Sequence, residues 1–106
     1  MILTTANNEV VAYEISGHAG FADKGWDIVC SAVSALSTSA TNGLEEHAKV
    51  KVECKTRDGY LRCGVIDYNN LSLIEKAKVR VIIDTMVSGI EAISAQYPNF
   101  INIEVL

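Results

Sequence analysis

The sequence has one proline and seven glycines in 106 residues. Disordered, collagen-like and low-complexity chains carry far more of both, so those classes are out. No apolar run approaches the ~18 residues of a membrane-spanning helix, so no membrane partner is expected. The opening Met1-Ile2-Leu3-Thr4-Thr5 lacks a basic region, so no secretory leader is expected either. Basic residues are scarce: nine Lys and Arg stand against thirteen Asp and Glu, for a net charge of −4 and a pI near 5.0. That balance disfavours direct nucleic-acid binding and suits a cationic partner. Cysteine is limited to Cys30, Cys54 and Cys63, with no CxxC. An odd count without a leader reads as reduced cytosolic thiols, not a disulfide framework. His18 and His47 show no zinc spacing with those cysteines. No metal and no cofactor are expected.

The remaining composition suits one domain. Hydrophobic residues make up 49% of the chain, enough for a core without staples. The mean hydropathy of +0.20 is high for a small domain and hints at a further apolar surface, most simply a homodimer face.

Patterning predicts β-β-α-β-β-α-β order. Residues 2–6 and 9–16 read as strands around Asn7-Asn8, with Val11, Tyr13 and Ile15 on one face. Residues 17–26 hold three glycines and read as a mobile loop. A helix over residues 27–47 would be capped by Asp27, with Val29, Val33, Leu36, Ala40, Leu44 and His47 as its core stripe. Thr41-Asn42-Gly43 weakens its end. Residues 50–56 and 60–66 alternate as strands around Arg57-Asp58-Gly59. Ser72 and Glu75 form a capping box that opens a helix running to about Tyr97, stopped by Pro98. Val79, Ile82, Ile83, Met86, Ile90, Ile93 and Tyr97 form its core stripe, while Ile74, Val81 and Val87 lie off it. Residues 100–106 read as a last strand. The fold class expected is α+β, a single domain with two helices packed on a largely antiparallel sheet.

Chemistry concentrates in residues 16–34. A histidine, His18, follows a strand, and Cys30 comes twelve positions later. With Asp27 as N-cap, Cys30 is the third helical residue. There the helix dipole and the open N–H groups would favour a thiolate and could hold an oxyanion. A neighbouring imidazole would lower the thiol pKa and carry its proton. Other readings stand beside this one. Buried cysteines are common apolar fillers. His18 can be a loop histidine bonded to backbone, Asp27 only a cap, and the glycines only turn residues. Cys54 and Cys63 read as ordinary buried or half-buried thiols. Ser34 and Ser37 read as helix-surface serines on the Cys30 side, His47 as structural, and Glu45 and Glu46 as solvent-facing.

The run Gly17-His18-Ala19-Gly20, then Gly25-x-Asp27-Ile28-Val29-Cys30-x-x-Val33-Ser34-Ala35, resembles the ribosomal-processing cysteine protease family known as Prp. Thr85-Met86-Val87-Ser88-Gly89-Ile90 and the closing strand are similar to that family more loosely. The resemblance implies a cytoplasmic bacterial endopeptidase. It would remove a short N-terminal extension from a basic large-subunit ribosomal protein, protein twenty-seven, by cutting after an aromatic residue. It implies His18 and Cys30 as a catalytic dyad, Asp27 as a supporting residue, and a homodimer. Gly17, Gly20, Gly25 and Ser34 would contact substrate or oxyanion. Two departures are visible: Ser31 stands where alanine is common, and Trp26 is bulkier than expected. The rival readings are a non-enzymatic ribosome-assembly interaction module, a redox-sensing thiol protein and a thioesterase-like hydrolase with the same dyad. The redox reading needs a resolving cysteine near Cys30, and no nearby sequence supplies one.

Overall fold

The computed structural model describes residues 1–16 and 24–106, with residues 24–27 described by their backbone alone. Five strands and two helices follow the expected order: β1 (Ile2–Ala6), β2 (Glu9–Ser16), α1 (Lys24–Gly43), β3 (Val52–Arg57), β4 (Tyr60–Val65), α2 (Leu73–Gln96) and β5 (Glu104–Val105). The sheet order is β3-β4-β2-β1-β5, antiparallel throughout except for the parallel β1–β5 pair. Both helices pack on it, which makes an α+β domain.

The turns follow from residues that accept positive φ. Asn7 and Asn8 sit at φ 53° and 65° and join β1 to β2, while Gly59 at φ 70° closes the β3–β4 hairpin. On β2, Tyr13 is buried and Val11 and Ile15 pack beside it against the core, as the alternation requires.

On α1, Val29, Val33, Ala40 and Leu44 are buried, with Leu36 packed against them. The α-helix ends at Gly43, and a π-helical turn, Leu44–Ala48, continues it to a left-handed Lys49 at φ 55°. The wider turn delays the next inward-facing position, so Ala48 is buried and His47 faces solvent. His47 therefore does not end the core stripe. Glu45 and Glu46 are exposed, as expected. Ser37, expected on the helix surface, is 1% exposed and donates to the Val33 carbonyl at 2.8 Å.

α2 opens with the expected capping box. Ser72 Oγ accepts from the Glu75 N–H at 3.1 Å, and the Ser72 N–H donates to Glu75 Oε1 at 2.9 Å. Val79, Ile83, Met86 and Ile90 are buried, with Ile82, Ile93 and Tyr97 packed beside them. The two helices approach closely at Gly89, where a Cβ would lie 3.1 Å from Leu36 Cδ1. Arg80 ties α2 to the sheet. It donates to the Val10 carbonyl, lies 3.3 Å from Glu9 Oε2, and sits over the Tyr68 ring, whose hydroxyl donates to the same Glu9 oxygen at 2.9 Å.

The last strand is shorter than the alternation of residues 100–106 suggests. Only Glu104 and Val105 pair in register with β1. Phe100, Ile101 and Ile103 instead pack on the core, and the Phe100 N–H turns back to the Tyr97 carbonyl at 3.1 Å.

The Glu75 carboxyl is held below its usual pKa, first by the Ser72 backbone N–H and then by the Ser72 side chain. A lowered folded-state pKa stabilises the fold above the unfolded value and loses that effect as pH falls through the folded one. Glu75→Ala should therefore be less stable than wild type in urea unfolding at pH 7. That gap should narrow in acid, where both proteins carry no charge at this site.

Candidate active site

The helical spacing of α1 builds one wall. Each residue turns the helix by about 100°, so burying Val29 and Val33 leaves Cys30 at the margin of the buried face. Ser34 and Ser37 follow at i+4 and i+7 on the same side. Cys30 is half-buried, and this row lines a cavity of about 760 Å³. The ends of β2 and β4 supply a second wall through Ile15, Ser16, Tyr60 and Leu61. Register explains why they meet: Ile15 pairs with Leu61 and Ser16 with Tyr60, which puts the 57–60 turn beside the end of β2. Met1, Ile2, Phe100, Ile101 and Asn102 complete the enclosure.

Ser16 is the last described residue before Gly17 and His18. Gly17, His18 and Gly20 lie outside the described residues, as does most of the 17–26 stretch expected to form a loop. The remainder of that stretch is helical, because α1 starts at Lys24 and not at Asp27. A single glycine costs a helix only about 1 kcal/mol, so Gly25 does not prevent the earlier start. This corrects three expectations. Asp27 lies within the first turn and is not the N-cap. Gly25 belongs to α1, not to a loop. Cys30 is the seventh helical residue, beyond the four N–H groups that a helix leaves open at its start. Its own N–H is thus not a free oxyanion donor, and it lies past the first turn, where the dipole acts most strongly. An activated thiolate at Cys30 depends on a neighbouring group. Ser34, one turn beyond Cys30, is exposed and lines the same cavity.

The hairpin tip also lines the cavity, although no local signal in the sequence points to it. The Arg57 guanidinium lies 4.4 Å from the Tyr60 ring centroid, and the Tyr60 hydroxyl is raised in pKa, first by its hydrogen bond to the Glu14 carboxylate. The alternating pattern foretold the strands but not their order, and only that order brings residue 60 beside residue 16. Among the described residues no group of three His, Cys, Asp or Glu could hold a metal ion.

The other two thiols form a pair. Cys63 is fully buried and Cys54 is exposed, because β3 is an edge strand, so Cys54 is not the half-buried thiol expected. Their sulfurs are 2.8 Å apart. Burial pushes the Cys54 thiol up to about 12, and hydrogen bonding and charge repulsion from Cys63 add to the effect.

Comparison with known proteins gives a consistent picture. The family described as "Cysteine protease Prp" matches residues 1–102. The Mycoplasma pneumoniae protein named "Ribosomal processing cysteine protease Prp" is 30% identical over 103 residues, covering 96% of this chain and 91% of that one. Among solved structures, S. aureus Prp in complex with a covalently linked product peptide superposes with a TM-score of 0.81 at 22% identity, covering 99% of this chain and 96% of that one. A Streptococcus mutans protein superposes at 0.79 with 27% identity, covering 99% and 90%.

The raised Cys54 pKa makes a kinetic prediction. Only the thiolate alkylates, so Cys54 should react slowly with iodoacetamide at pH 7 despite its exposure. Its rate should climb about tenfold per pH unit through pH 9, read peptide by peptide in mass spectra. A rate at pH 7 equal to that of free cysteine would contradict the assignment.

Proposed function

The chain belongs to the cysteine protease Prp family, the ribosomal-processing cysteine proteases, and from that premise we propose its substrate, its dyad and its setting. The protein removes a short N-terminal extension from a basic large-subunit ribosomal protein, bacterial protein twenty-seven, by cutting after an aromatic residue. Cys30 is the nucleophile and His18 the general base. The observation that carries this reading is the cavity wall: Cys30 and Ser16, the residue that leads into Gly17 and His18, line the same cleft. Its volume of about 760 Å³ lies in the range of clefts that enclose ligands. Ile15, Leu61 and Ile101 give it an apolar side suited to an aromatic residue.

In the proposed sequence His18 takes the thiol proton, and the Cys30 thiolate attacks the carbonyl carbon of the scissile peptide. The carbonyl oxygen becomes the oxyanion. Its donors are backbone N–H groups of Gly17 and Gly20 and of the open first turn of α1, Gly25 among them. The His18 imidazolium then protonates the leaving amine, which releases the C-terminal product and leaves a thioester on Cys30. Water, deprotonated by His18, hydrolyses the thioester and regenerates the thiol. Asp27 supports the site as a carboxylate in the first helical turn, and Ser34 contacts substrate from the next turn along. No cofactor takes part.

The net charge of −4 supports approach of a basic substrate at low salt. Cytoplasmic placement follows from the proposed ribosomal substrate. A homodimer is proposed on the exposed apolar residues of α2. Leu73, Ile74 and Val81 are 84%, 70% and 67% exposed, and Ile74 and Val81 are seven residues apart on one side of the helix.

The test is cleavage of a peptide spanning the N-terminal junction of the ribosomal protein, read by mass spectrometry. Wild type should make one cut, after the aromatic residue. Cys30→Ala should make none. His18→Ala should lose at least about a hundredfold in rate, and Asp27→Asn much less. Cleavage by Cys30→Ala overturns the nucleophile assignment. No cleavage by folded wild type overturns the substrate assignment and moves weight to an interaction module.

A further inference from the structure

We propose that Cys54 and Cys63 form a reversible disulfide, a second thiol site separate from Cys30. The geometry points to this from three directions. The residues are direct cross-strand partners on β3 and β4, and their sulfurs already lie 2.8 Å apart. Counting outward from the Asp58-Gly59 turn, Arg57 and Tyr60 form the closing hydrogen-bonded pair, so the 54–63 pair falls in a non-hydrogen-bonded position. There the Cα atoms of facing residues are about 4.5 Å apart. That lies at the short end of what a disulfide spans, roughly 4.4–6.8 Å. Exposure differs across the pair, with Cys54 open at the sheet edge and Cys63 sealed beneath it.

This asymmetry assigns the roles. The oxidant is a hydroperoxide. The Cys54 thiol gives its proton to water, its thiolate attacks the terminal peroxide oxygen, and the O–O bond breaks. The alkoxide or hydroxide that leaves takes up a proton from water to become an alcohol or water, and Cys54 becomes a sulfenic acid. Cys63 sulfur then displaces the sulfenic hydroxyl, which leaves as water with the Cys63 proton, and the S–S bond forms. Two thiols are oxidised by two electrons and one peroxide is reduced. The buried neighbour protects Cys54 from further oxidation, because the resolving sulfur is in contact before a second peroxide arrives. A small-molecule thiol reverses the link by exchange at the exposed Cys54 sulfur.

The raised pKa of Cys54 makes the first step slow at neutral pH and faster in mild alkali. The row continues inward. Cys63 faces Tyr13 on β2, and the Tyr13 hydroxyl meets Thr41 Oγ1 of α1 at 2.7 Å. Thr41 gives its own proton to the Ser37 carbonyl at 2.9 Å, which leaves Tyr13 as the donor to Thr41. The link therefore fastens the edge strand β3 to its neighbour β4, just behind the turn that lines the Cys30 cavity.

The test uses the wild-type protein treated with hydrogen peroxide at pH 8.5, then denatured, alkylated with iodoacetamide and digested with trypsin. Cleavage at Lys51, Lys55, Arg62 and Lys76 separates the two cysteines into different peptides. The peptide ending at Lys55 should appear joined to the one beginning at Cys63, about 2 Da below the sum of the two thiol forms. Dithiothreitol should abolish the joined species. Cys54→Ser, an exposed and mild change, should never form it and should leave Cys63 alkylated. The proposal is overturned if both cysteines come through peroxide alkylated. It is equally overturned by Cys54 as sulfinic acid with Cys63 alkylated, or by either cysteine joined to Cys30 instead.

Discussion

The site depends on the burial of one face of α1. Val29, Val33, Ala40 and Leu44 must leave water together, and their spacing sets the rotation of the helix against the sheet and α2. Once that rotation is set, Cys30 has one place to go: the margin of the packed face, half-buried, at the wall of the cleft. Ser34 and Ser37 follow it along the same row. Gly89 serves the same packing from α2, because it lets Leu36 seat closely between the helices. Cys30 is thus positioned by the packing of the core.

The sheet performs the matching task from below. β2 is central, flanked by β1 and β4, and it ends at Ser16 on the cleft. Its antiparallel register with β4 brings the hairpin tip, Arg57 to Tyr60, to the same end. Three distant parts of the chain therefore converge on one cavity: the end of β2, the early turns of α1 and the 57–60 turn. The segment around residues 100–102 joins them by crossing the sheet end before β5.

Much of this was legible in the chain itself. The first two strands, the Ser72 capping box, the α2 stripe and the element order follow from period, turn residues and caps, all of which are local signals. The failures are equally physical. The sequence places the start of α1 too late: Asp27 is a good cap and Gly25 a poor helix former, yet one glycine costs a helix only about 1 kcal/mol, and α1 starts at Lys24. A strict α-helical count points His47 inward, whereas the π-helical turn leaves it exposed. Alternation does not say which strand ends the sheet, so it does not place Cys54 at the exposed edge. The Cys30–His18 region stood out by residue type and family likeness, whereas Tyr60 and Ile101 belong to the cleft only through strand order and the final crossing.

In the proposed dyad Cys30, which gains little from its own position in the helix, takes its reactivity from His18. Its pH profile of iodoacetamide labelling, in wild type and in His18→Ala, tests this without any substrate. With the dyad in place, the wild-type profile should rise well below the ordinary cysteine pKa of about 8.5 and move up toward that value when the imidazole is removed. Superimposable profiles for the two proteins would contradict it.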